Sequence, residues 1–109
     1  PLVRDVTDAT DKLLFAADRT GPRLPERVRQ QAAAAVELSR LAEGAAQQAS
    51  SLRVPGVRAL RVAQRYASCA ARDLHRELRK GRTELRCEGQ YPSMTDILAV
   101  GGGVNAVDR

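Results

Sequence analysis

A chain of 109 residues with 18 Lys and Arg against 13 Asp and Glu, one Phe, two Tyr and no Trp is basic and poor in large apolar side chains. Its formal charge of +5 selects a polyanionic partner, either nucleic acid or an acidic membrane or protein surface. Two cysteines and one histidine exclude a disulfide framework and the usual zinc spacings, and no apolar run approaches the roughly 20 residues of a membrane span. The expectation is a cytoplasmic chain with free thiols in a reducing compartment and no cofactor. Much of the apolar content is alanine, and each such contact contributes well below the roughly 1.5–3 kcal/mol of a buried Leu or Phe. A core of this kind gains from being shared with a second copy.

Leu2 to Arg19 reads as a first helix, with Val3, Val6, Leu13 and Ala17 on a three-four pattern and Thr10 at the intermediate step. Asp5, Asp8 and Asp11 fall in its opening turns, where carboxylates favour the positive end of the helix dipole. Phe15 is expected to plug a gap between helices. Gly21 should stop this helix and Pro25 open the next as its first residue, where a proline forgoes no hydrogen bond. So short a connection favours an antiparallel pair. The second helix is predicted from Pro25 to about Leu52, burying Val28, Ala32, Ala35, Ser39, Ala42, Ala46 and Ala49, widened by Leu38, Ala45 and Leu52. Gly44 in its middle either permits a close helix crossing or is a tolerated cost of about 1 kcal/mol relative to Ala.

Arg53-Val54-Pro55-Gly56 should close that helix, and Gly56 to Arg82 carries the strongest pattern in the chain. Wound at about 100° per residue, Leu60, Ala63, Ala67, Ala70, Ala71, Leu74 and Leu78 form one stripe. Arg58, Arg61, Arg65, Arg72, Arg76 and Arg79 form another nearly opposite, with Ser68 and His75 at its missing steps. The cationic face runs over roughly 30 Å at about 1.5 Å per residue. Lys80 and Arg82 cluster at its end, where positive charge also complements the helix dipole. Beyond Glu88 the periodicity is lost. Ser93 with Asp96 predicts one short capped helix through Ala99, and Gly101-Gly102-Gly103 a flexible tail. No phosphate loop is expected there, because no Lys-Ser/Thr follows and no strand precedes. The fold class is therefore all-α: three main antiparallel helices in residues 1–86, a short C-terminal helix and tail in 87–109, and a dimeric helical bundle.

The candidate nucleic-acid-binding residues are Arg58, Arg61, Arg65, Arg72, Arg76, Arg79, Lys80 and Arg82. Such a row meets the phosphates of a duplex through charge, pitch and reach, without reading bases. The bland reading is a solvated face, with Asp73, Glu77 and Glu84 neutralising part of it at helical spacing. Tyr66 and Tyr91 are too few and too scattered to make a base-stacking platform, which weighs against single strands. With one His and no nucleophile beside it, neither a triad nor a general-base pair can be assembled, and no enzyme is expected. Leu60, Ala63, Ala67 and Leu74, with Leu38 and Leu41 of the second helix, are the predicted dimer or partner interface.

Pro25-Glu26-Arg27-Val28-Arg29 opens the second helix, and Ser51-Leu52-Arg53-Val54-Pro55 closes it some thirty residues later. With the short first helix, this layout from Asp8 to Val62 resembles the small double-stranded-RNA-binding suppressors of RNA silencing from nodaviruses. The resemblance implies two chains paired as an antiparallel four-helix bundle, which lies along an RNA duplex and shields it from the dicing nuclease. In that family the basic contacts project from the second helix, including an arginine near its end. Here Ala46 stands at about that place and the arginines lie on the following helix. A competing class is the protein adaptor. Residues 30–49, QQAAAAVELSRLAEGAAQQA, have the small-residue texture of a vinculin-binding helix and resemble alanine-rich bundles of the talin, vinculin and focal-adhesion-targeting kind. That resemblance implies docking through an apolar helix face, with the arginines incidental.

Overall fold

The computed structural model describes residues 1–49, 51–80, 85–87 and 91–100, with side chains throughout except at 77–80. Among these residues there are four α-helices and no strand: α1 (Leu2–Thr20), α2 (Glu26–Gln48), α3 (Val54–Lys80) and α4 (Met94–Leu98). The all-α expectation therefore holds.

The helix ends differ from their predicted positions for local reasons. Gly21 keeps right-handed angles, φ −48° and ψ −50°, and starts a 3-10 turn over Gly21–Arg23 in place of a left-handed stop. The chain changes direction at the extended Leu24, and Pro25 is the N-cap of α2, one place before its first helical residue. At the other end α2 stops at Gln48, short of Leu52, because Ala49 turns extended. Val54, Pro55 and Gly56 open α3 and do not close α2. The first bond of α3 runs from the Val57 N–H to the Arg53 carbonyl at 3.0 Å, so a proline at position 55 forgoes no partner. At α4 the capping expectation is met, with Ser93 Oγ accepting from the Asp96 N–H at 3.0 Å.

The core has two centres along the bundle. At one, Leu13 and Ala16 of α1 pack with Val28, Ala32 and Ala35 of α2 and with Ala67, Ala70 and Leu74 of α3. At the other, Val6 of α1 meets Ala42 and Ala46 of α2 and Ala59, Leu60 and Ala63 of α3, together with Ile97 and Val100. The start of α1 thus lies beside the end of α2 and the start of α3. Consecutive helices are antiparallel, and α1 and α3 run side by side in the same direction. Thr10 is tolerated between the two centres because its hydroxyl donates to the Val6 carbonyl at 2.8 Å.

Two packing expectations are corrected. Leu60, Ala63, Ala67 and Leu74 are between 0% and 2% exposed within the single chain, so α1, α2 and α4 already cover the face expected to meet a second copy. Leu38 packs against the second core centre, and of the six predicted interface residues only Leu41 is exposed. Phe15 fills no gap: it lies about 200° round the helix from Leu13, is 57% exposed, and carries the Arg19 guanidinium 4.9 Å over its ring. Packed on α1, α2 and α4, α3 turns only its arginine side outward.

A Cβ built on Gly44 would meet nothing within 4 Å, so this glycine serves no close crossing. Gly44→Ala is expected to stabilise the chain by about 1 kcal/mol through helix propensity. Urea unfolding should show a raised midpoint at unchanged slope; a lowered midpoint would mean that the glycine has a packing role.

Candidate nucleic-acid interface

The buried stripe of α3 fixes the direction of its opposite side. Because Leu60, Ala63, Ala67, Ala70 and Leu74 point into the core, Arg58, Arg61, Arg65, Arg72 and Arg76 stand exposed in one row. From Arg58 to Arg76 the row is about 27 Å long at about 1.5 Å per residue. The side chains of Arg79 and Lys80, and Arg82 itself, lie outside the described residues.

What decides the electrostatics of the row is where its acids go. Arg61 Nη1 is 3.7 Å from Asp5 Oδ2 and 3.4 Å from Gln64 Oε1. That ion pair is half exposed on both sides and is correspondingly weak. Among the described residues, no ion pair engages Arg58, Arg65, Arg72 or Arg76. Asp73, a candidate neutraliser, is occupied elsewhere: its Oδ2 accepts from the Arg86 N–H at 2.8 Å and from Cys87 Sγ at 3.3 Å. Glu77 and Glu84 lie outside the described side chains.

Packing of α1 beside α3 adds residues to this surface that sequence reasoning missed. A groove between the two helices is lined by Asp11, Lys12 and Phe15 on one wall and by Ser68, Arg72, His75 and Arg76 on the other. Lys12 extends the cationic row sideways with Asp11 beside it, the exposed His75 adds a polar ring, and Phe15 supplies an apolar wall. Only the parallel packing of two helices distant in the chain reveals this, since Lys12 alone carries no signal.

On the opposite flank of the row, Tyr66 and Tyr91 meet edge to face, with ring centroids 4.8 Å apart and planes at 69°. The two tyrosines are thus not scattered in space, but Tyr66 is half-buried and Tyr91 alone of the pair presents an exposed ring. Burial, followed by the nearby Tyr91, Cys87 and Cys69, pushes the Tyr66 hydroxyl up to about 12. Burial first, then hydrogen bonding with Cys69 and Asp73, pushes the Cys87 thiol up as well.

A second groove, between α1 and α2, is apolar. Leu14, Phe15, Val36 and Leu41 line it, with Asp18, Glu37, Arg29 and Arg40 around them. No helix among the described residues is long and apolar enough to cross a membrane. No family model, no curated protein and no solved structure matches this chain.

Proposed function

We propose that the arginine face of α3 binds double-stranded nucleic acid, RNA ahead of DNA, without regard to sequence. One observation carries this reading: Arg58, Arg65, Arg72 and Arg76 are exposed in a single row with no acidic partner among the described residues. A row of fixed pitch suits the regular phosphate backbone of a duplex, whereas the exposed rings of Phe15 and Tyr91 stand on opposite flanks of the row and form no continuous stack for a single strand. The preference for RNA rests on the resemblance in helix-and-proline layout to nodavirus silencing suppressors. On that reading the chain shields duplex RNA from a dicing nuclease.

The test is fluorescence anisotropy with random-sequence RNA duplex, DNA duplex and single strand across a range of salt. Binding to the RNA duplex should be sequence-indifferent, and log K should fall against log salt with a slope of about −4.5, as five phosphate contacts require. No binding at low salt would end the proposal. The second reading, a protein-interaction module, is then the one to pursue. What favours it is the groove between α1 and α2, where Phe15 and Leu41 stay exposed although the apolar face of α3 is covered.

A further inference from the structure

Cys69 and Asp73 are four residues apart on α3 and so share one face of that helix. Cys87 arrives from the segment after it. Both cysteines are unbridged, and the Sγ atoms of Cys69 and Cys87 and a carboxylate oxygen of Asp73 all lie within 4.8 Å of one another. The approach is built by the fold: the Arg86 N–H donates to Asp73 Oδ2 at 2.8 Å, and the Leu85 N–H donates to Gln31 Oε1 of α2 at 3.0 Å. Beside the cluster is a cavity of about 150 Å³ lined by Gln31, Ala34, Tyr66, Leu85, Cys87 and Tyr91. All three ligating groups are half-buried, neither sealed from solvent nor fully open to it.

We propose that Cys69, Asp73 and Cys87 bind a thiophilic divalent cation of the zinc class, with a solvent molecule from the adjoining cavity as fourth ligand. Tetrahedral bonds of about 2.3 Å to sulfur and about 2.0 Å to oxygen set ligand atoms roughly 3.5–3.8 Å apart. The Cys87–Asp73 separation of 3.3 Å is already close to this, and a contraction of about 1 Å at most brings in the remaining atoms. Each thiol releases its proton to solvent as it ligates, so two protons leave for each cation bound. The cation would tie residues 85–87 to α3 on the flank of the arginine row. The site does not depend on what that row binds. Its two thiols lie eighteen residues apart, a spacing that no common zinc motif would flag.

The experiment uses the full chain, reduced and stripped of metal, titrated with Co²⁺ and then with Zn²⁺. One Co²⁺ per chain should bind, giving a near-ultraviolet thiolate-to-cobalt charge-transfer band and strong visible bands of tetrahedral cobalt, all lost on adding Zn²⁺. Cys69→Ser and Cys87→Ser should each diminish the charge-transfer band, and Asp73→Asn should weaken Zn²⁺ binding by at least about 10-fold. Asp18→Asn should leave it unchanged. In the unsubstituted chain, Zn²⁺ should slow alkylation of both thiols together, a readout that does not depend on how the variants fold. The proposal is overturned if the reduced chain shows no thiolate–cobalt band, if both serine variants keep it, or if one cation is shared between two chains.

Discussion

Replacing Arg58, Arg65 and Arg72 together by Glu should weaken binding to an RNA duplex by about 10³–10⁴-fold and leave the helical fold in place. All three side chains are exposed and none is in an ion pair among the described residues, so their loss removes no interaction that the chain needs internally. At about 1 kcal/mol for each basic group beside an anionic surface, three lost attractions and three new repulsions amount to about 4–6 kcal/mol. At 1.4 kcal/mol per decade that is three to four decades of affinity. Anisotropy measures the binding, and circular dichroism with thermal unfolding checks the fold. If the triple variant binds as the parent does, the row is a solvated face and duplex binding, where seen, arises elsewhere. Arg61 is best left untouched in this test, because its pair with Asp5 would mix folding with binding.

The second large effect concerns the core. Leu60→Ala should cost about 3–4 kcal/mol, a large part of the roughly 5–15 kcal/mol that holds a domain of this size together. Leu60 is fully buried, and many of its neighbours at that centre are alanines: Ala42, Ala46, Ala59 and Ala63. Side chains so short cannot reach into the space left behind, so the cavity persists and its cost adds to the lost burial. Denaturant unfolding at two protein concentrations tenfold apart decides the matter. An equal loss at both identifies Leu60 as core of the single chain; a loss that deepens on dilution would make it part of an interface between copies. Leu41→Ala, on the exposed side of α2, should move stability by no more than about 0.5 kcal/mol.

Where sequence reasoning failed, the failures share a cause. Phe15, the sole phenylalanine, is expected to plug a gap between helices, yet its angular position relative to Leu13 and Ala16 puts it outside. Leu60 and Leu74 were expected at an interface because so alanine-rich a chain has little to bury. In fact Val6, Leu13, Ile97 and Val100 supply enough large side chains to cover that stripe from within. The contribution of α4 and the turn after it is unreadable in the sequence, since one inward residue in each, Ile97 and Val100, makes no period. Helical spacing would pair Asp73 with neighbouring arginines, and the segment at 85–87 takes it away from them.

The sequence by itself determined the four helices, the capped start of α4 and the alignment of the arginines. Those relations lie within one element, where 3.6 residues per turn fixes which side chains share a face. Only the tertiary structure decided which faces are covered, that Lys12 and Phe15 stand beside Arg72 and Arg76, and that Cys87 reaches Cys69 and Asp73. These relations depend on the direction in which α1 passes α3 and on the path of the chain after it. That path is set by the summed packing of many small contacts, which no short stretch of residues encodes.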